Sequence, residues 1–151
     1  MPVHAEYQAL LDMMALVAAD APPLEHTTPE MSRQAYAGLA AVAGPGPDVA
    51  VVYDRTIDGQ AASIPIRVYR PVDDDTFTGA VMFFHGGGFV IGDLDTHDAV
   101  CRELCVGTGC TVIAVDYRLA PEHRFPAAVE DCWDATRWVA DHADELRIDP
   151  A

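Results

Sequence analysis

The stretch Ala80–Gly88, AVMFFHGGG, constrains this chain more than any other. Apolar side chains run from Ala80 towards His85 without a polar alternate, which predicts a strand covered on both faces. Three successive glycines then break it. Glycine brings no reactive side chain, so the chemistry of such a junction lies in backbone N–H groups and in dihedral freedom. Backbone donors aimed at one point stabilise a developing oxyanion.

The rest of the composition narrows the setting. With 151 residues, 50% of them hydrophobic, the chain is long enough for one unit with a core and short for two. Nine basic against 24 acidic residues give a formal charge of −15, which argues against nucleic acid or an anionic lipid surface as partner. Only Asp73–Asp75 form an acidic run, so the acidity reads as a solvated surface. The first twenty residues lack a basic leader and carry Glu6 and Asp12 within their apolar pattern; no signal peptide or membrane span is expected, and the cytoplasm is the expected location. Cys101, Cys105, Cys110 and Cys132 form no C-x-x-C pair and have no histidines at zinc-binding spacing, so buried free thiols and no metal or cofactor are expected.

Taken in order, His4–Asp20 carries Tyr7, Leu10, Leu11, Met14, Val17 and Ala18 at helical spacing, and Pro22-Pro23 stops it. A second helix should start with Thr28 as N-cap and Pro29 at its first position, ending before the Gly44–Pro47 cluster. That cluster divides a helical leader, residues 1–46, from a core, residues 47–151. By composition alone the leader reads as a cover for a sheet. Val49–Ile57, the Asp58-Gly59 turn and the alternation of Ile64, Ile66 and Val68 predict an antiparallel pair. Pro65 and Arg67 place that pair at a sheet edge, with Arg67 needing water.

Beyond the glycines, Val100, Cys101, Leu104 and Cys105 predict a short helix capped by Asp95 or Thr96 and closed by Gly107. Asp93, Asp95, His97 and Asp98 could ligate a metal, but carboxylates in a first helical turn already complement the helix dipole. Thr111–Val115 is a second continuous apolar run, so strand, helix and strand make a crossover with two parallel strands. The class is α/β. Asp116–Phe125 is a polar loop, and Pro126 opens a helix with Val129, Cys132, Trp133, Thr136 and Ala140 on one face.

These segments resemble a known family, the hormone-sensitive-lipase-like esterases of the α/β-hydrolase fold. The resemblance rests on His85-Gly86-Gly87-Gly88-Phe89, Gly92, His97-Asp98, the run Asp116-Tyr117-Arg118-Leu119-Ala120-Pro121-Glu122 and Phe125-Pro126-Ala127-Ala128, with weaker echoes in Ile66–Pro71 and Thr28–Glu30. It implies an incomplete α/β-hydrolase fold: cap helices, an antiparallel edge hairpin and the start of the parallel sheet. It also implies carboxylic ester hydrolysis through a Ser-His-Asp mechanism on a small-molecule ester. Gly86, Gly87 and Gly88 would form the oxyanion-hole loop, with Gly87 and Gly88 as donors, and His85 would support that loop rather than act as base. Phe89 would line the pocket, and Asp116, Tyr117, Arg118 and Glu122 would anchor the neighbouring loop.

The nucleophile is missing from the pattern. The two serines, Ser32 and Ser63, fall in the second helix and the hairpin, without the Gly-x-Ser-x-Gly surroundings of a nucleophile elbow. The resemblance therefore implies a segment that stops short of its nucleophile, base and acid. Such a chain should be inactive alone and tend to self-associate through an unprotected strand edge. The competing readings are a non-catalytic small-molecule-binding module and a truncated gene product.

Overall fold

The computed structural model describes residues 3–18, 23 and 26–149. Two helices lead, α1 (Ala5–Ala18) and α2 (Pro29–Ala43); the order continues β1 (Val51–Asp58), β2 (Ser63–Arg70), β3 (Ala80–Phe84), α3 (Asp98–Thr108), β4 (Thr111–Val115) and α4 (Ala127–Asp141). α2 starts as its sequence predicts. Pro29 sits in its first turn, and the Thr28 hydroxyl accepts the Met31 N–H at 3.3 Å. Asp20 and Pro22, expected at the end of the first helix, lie outside the described residues.

The strands form one sheet in the order β1-β2-β4-β3. β1 and β2 are antiparallel from Val51↔Arg70 to Asp58↔Ser63, and β2 runs antiparallel to β4 from Ile66↔Val115 to Tyr69↔Val112. β3 and β4 are parallel from Ala80↔Thr111 to Phe84↔Val115, joined by α3 as the expected crossover. β4 is buried at all five positions because both of its faces are covered. Val112 and Ala114 pack with Tyr69 of β2 and with Cys101 and Cys105 of α3. Ile113 and Val115 point the other way, onto Ile64, Ile66 and Val68 and onto Ala128, Ala135 and Val139 of α4. Each fully buried branched side chain contributes about 1.5–3 kcal/mol, so the core lies beneath α4 and holds the β3 and β4 ends in place.

Several expectations are corrected. Only β1 of the antiparallel pair is an edge; β2 is interior, since β4 pairs with its other side. Pro65 is tolerated because the β2–β4 ladder begins one residue later, at Ile66, and Pro65 offers its carbonyl to the Asp116 N–H at 3.0 Å. Arg67 is held by carboxylates, at 2.6 Å from Asp54 and 2.9 Å from Asp95, so its charge is met within the fold. β3 is half-buried, with Ala80 and Phe84 exposed, because among the described residues only β4 flanks it along its length. α3 is preceded by His97, without a side-chain cap, and is closed by Gly109, whose N–H reaches the Cys105 carbonyl at 2.9 Å.

α4 presents a different face from the one its large residues suggest. Ala127, Ala128, Asp131, Ala135 and Val139 are buried, whereas Val129 and Trp133 are exposed. Small side chains let a helix lie close against a sheet, and that close approach outweighs the size of the apolar residues on the far side. On α1, Tyr7, Leu10, Leu11 and Met14 are exposed and join neither core cluster.

Candidate active site

β3 delivers His85 to the end of the sheet, where the chain turns sharply. Gly87 and Gly88 take φ of 125° and 61°, and Phe89 follows at 62°, a left-handed conformation uncommon for a residue with a side chain. The Gly87 carbonyl accepts the N–H groups of both Val90 and Ile91 at 3.1 Å, closing the turn. The Phe89 carbonyl accepts the Ala120 N–H at 2.8 Å, which fastens the glycine loop to the Asp116–Phe125 loop. The N–H groups of Gly87 and Gly88 donate to no acceptor among the described residues. The N–H groups of Gly86 and Phe89 likewise donate to none, so the turn presents a run of backbone donors on a loop pinned on either side.

His85 is 5% exposed and braced from several directions. Its Nδ1 lies 2.8 Å from the Gly86 carbonyl, and the Tyr117 hydroxyl donates to the His85 carbonyl at 2.6 Å. The Tyr117 ring stacks on the imidazole with centroids 4.3 Å apart, and the His97 ring stacks at 5.3 Å. The buried Nε2 has no partner among the described residues. Burial lowers the pKa of His85 and of His97, and the repulsion the two rings would feel if both were protonated lowers that of His97 further, so the neutral forms are favoured at neutral pH. The imidazole is thus buried, stacked and bonded to the loop.

The residues expected to form one supporting network separate into three. Arg118 grips Asp131 of α4: its N–H and Nε both reach Oδ2 at 2.9 Å, and a terminal nitrogen reaches Oδ1 at 2.8 Å. Asp131 is 2% exposed, so this is a buried ion pair rather than a surface contact. Glu122 instead pairs with Arg33 of α2 at 2.8 Å, and that guanidinium holds its carboxyl well down, at about 2. Asp116 joins neither; burial, then Asp93 and Asp95, push its pKa up. Phe89 is exposed, its ring 6.3 Å from that of Tyr117.

A groove of about 510 Å³ adjoins this region, lined among others by Arg33, Gly92, Thr96, Asp116, Tyr117 and Glu122. A larger hollow of about 900 Å³ lies between α2, β1 and α3, and none of the three glycines lines either space. Its size does not make it the site, because its carboxylates Asp54, Asp95 and Asp98 are already engaged with Arg67, and Asp98 also with Arg102. Asp93 and Thr96 close a turn on each other, the Thr96 N–H reaching Asp93 Oδ1 at 2.7 Å. Sequence reasoning missed Arg33, Asp131 and the buried Arg70, which donates to the carbonyls of Leu146, Asp74 and Thr76 at 2.8, 2.8 and 3.2 Å. Arg33 and Asp131 each sit in a helix with no local sign of their distant partners.

Comparison with known proteins bears on the fold. The profile of the alpha/beta hydrolase fold matches residues 81–151. The chain is 53% identical over 105 residues to the esterase LipI of Mycobacterium tuberculosis, covering 68% of this chain and 32% of that protein. It is 46% identical over 117 residues to the arylesterase of Saccharolobus solfataricus, covering 78% of this chain and 39% of the relative. The solved hyperthermophilic esterase from the archaeon Pyrobaculum calidifontis superposes with a TM-score of 0.89 at 41% identity, covering 99% of this chain and 47% of that one. The chain thus spans a third or slightly more of these curated relatives' length and about half that of the solved esterase. With a mixed sheet that superposes on such an esterase over nearly its whole length, the chain belongs to the α/β-hydrolase family, as its resemblance to hormone-sensitive-lipase-like esterases implied.

Proposed function

We propose that this chain supplies the oxyanion-stabilising wall of a carboxylic ester hydrolase of the hormone-sensitive-lipase-like kind. The observation that carries the reading is the run of N–H groups through the glycine turn, those of Gly87 and Gly88 among them, that meet no acceptor among the described residues, on a loop held by His85, Tyr117 and Ala120. When a nucleophile adds to an ester carbonyl, charge gathers on the carbonyl oxygen, and donors fixed beforehand stabilise it without reorganising. His85 stays neutral and shapes the loop. Phe89 offers an apolar surface beside the glycines, and residues 1–46 act as a cap over residues 47–151. Ser32 lies in the first turn of α2 and Ser63 opens β2, neither on a strand-to-helix elbow, so neither serves as the hydroxyl nucleophile of a Ser-His-Asp mechanism.

The chain by itself is therefore expected to hydrolyse p-nitrophenyl acetate only at the background rate. The open edge of β3 and the exposed apolar residues of α1 make self-association its expected behaviour in solution. The deciding experiment transplants residues 80–125 into the Pyrobaculum calidifontis esterase in place of the matching segment. The chimera should hydrolyse p-nitrophenyl esters, and Gly87→Val within it, its fold checked by circular dichroism, should lower kcat by about 10²–10³, because the side chain displaces the loop and draws its N–H groups off the carbonyl oxygen, with an effect the size of losing one oxyanion donor. A chimera that stays equally active with valine at that position overturns the assignment.

A further inference from the structure

The four hydrogen bonds of Arg33 converge on the glycine loop and its neighbour, 57 to 89 residues further along the chain. Its Nε donates to the Val90 carbonyl at 2.8 Å. One terminal nitrogen donates to the Ala120 carbonyl at 3.0 Å, and both terminal nitrogens reach the Glu122 carboxylate at 2.8 Å. Val90 is the residue whose own N–H returns to the Gly87 carbonyl, and Ala120 is the residue whose N–H holds the Phe89 carbonyl. Arg33 thus grips the carbonyl side of the very residues whose amide sides set the glycine turn. We infer that Arg33 is a positioning residue for the oxyanion loop, buckling the glycine turn, the Asp116–Phe125 loop and α2 into one unit.

A second contact from the same helix supports this. Tyr36 lies three residues on, hence on the same face of α2, and its hydroxyl is 3.2 Å from His97 Nε2. The His97 ring stacks on His85, whose Nδ1 meets the Gly86 carbonyl. One face of α2 therefore reaches the glycine loop from both ends, through Val90 and through His85. On this arrangement α2 does more than cover a pocket: its docking sets the loop that the glycines form. Only a guanidinium can do this from position 33, because its planar fork presents donors to a carboxylate and to two carbonyls together, whereas an ammonium is a single point of charge.

The inference rests on the oxyanion reading for its functional meaning, but its test needs no substrate. Amide hydrogen exchange of the whole chain reads the Val90, Ile91 and Ala120 N–H groups, the three that close the two loops. Arg33→Ala should speed their exchange by about tenfold or more, the loss expected for a charge-assisted bond, while the β4 amides from Val112 to Val115 stay protected. Arg33→Lys should leave these three amides as exposed as alanine does. Glu122→Gln, a surface change, should speed them by a smaller factor, and it decides the matter where Arg33→Ala fails to fold. Unchanged exchange at the three amides, equal loss across β4, or full protection restored by lysine overturns the inference. An active chimera indifferent to Gly87→Val would remove the oxyanion assignment and leave the role of Arg33 in shaping the turn intact.

Discussion

The three adjacent glycines should respond to alanine in three different ways, because only two of them are constrained and for different reasons. At Gly87 a Cβ would run into the Ile91 carbonyl oxygen and come within 2.7 Å of the Ile91 carbonyl carbon and 2.8 Å of its Cγ1. Backbone cannot step aside there, since the Ile91 N–H is itself bonded to the Gly87 carbonyl. Overpacking costs about 1–3 kcal/mol, and a φ of 125° that only glycine adopts readily costs a side-chain residue about as much again. The expected loss for Gly87→Ala is thus about 2–6 kcal/mol, a large share of a typical domain's stability. Gly88 has open space around its would-be Cβ but a φ of 61°, so Gly88→Ala should lose only about 1–2 kcal/mol. Gly86 has neither a crowded Cβ nor a positive φ, and Gly86→Ala should be neutral or stabilising by about 0.4–1 kcal/mol. Urea unfolding followed by circular dichroism reads the series. With a slope of about 2 kcal/mol per molar, the Gly87 variant should unfold about 1–3 M earlier than the parent chain, the Gly88 variant about 0.5–1 M earlier, and the Gly86 variant no earlier. A Gly87 variant that unfolds within about 0.3 M of the parent, or a Gly88 variant that is the weaker of the two, refutes the reasoning.

Three further outcomes follow from the buried charges and thiols. Arg118→Ala removes the guanidinium from the buried Asp131 carboxylate and leaves it, among the described residues, only the backbone N–H of residue 118, so it should destabilise by at most about 3–5 kcal/mol; Arg118→Lys, which keeps a charge but not the fork, should lose less in the same urea assay. His85 and His97 have folded-state pKa values below the ordinary 6.5, so below that pH the unfolded chain binds more protons; their contribution to stability is present above pH 6.5 and is lost as pH falls. Urea midpoints measured from pH 8 to pH 5 should decline accordingly, and His97→Gln should flatten the slope; a flat profile in the parent chain contradicts the burial of the two rings. Burial pushes the Cys101 thiol up to about 12 and Cys132 to about 11, while Cys110 is partly exposed, so iodoacetamide at pH 8 should label Cys110 first and Cys101 only on unfolding. Peptide mapping by mass spectrometry checks the order, and early labelling of Cys101 counts against the buried core around α3.

Much of the fold is legible in the sequence because its signals are local. Thr28-Pro29 announces the start of α2, Asp58-Gly59 the hairpin, and the uninterrupted apolar runs β3 and β4, and each depends on residues within a few positions of one another. The departures share a different character. Gly107 is the nearer stop signal to α3, but the helix runs on to Gly109, since a glycine in a helix is tolerated where the following turn still finds its carbonyls. Periodicity misplaces the buried face of α4 because it weights large apolar residues, whereas packing against a sheet rewards small ones such as Ala128 and Ala135. Pro65 and Arg67 mark an edge, yet only β1 lies there, because the sequence of a strand does not say which strand will pair on its second side.

The candidate site divides in the same way. The residue types at the turn, a histidine and three glycines at the end of an apolar strand, are dictated by what a backbone must do there, and the sequence alone was enough to single them out. Which groups hold that turn was decided only by the tertiary structure. Arg33 meets Glu122 across 89 residues, Tyr117 meets His85 across 32, and Arg118 takes Asp131 of α4 rather than a carboxylate of its own loop. An ionic or aromatic side chain has the same local signature whether it ends in water or against a partner. The choice is made by which elements the buried core brings together, and that core is assembled from residues that carry none of the site's chemistry.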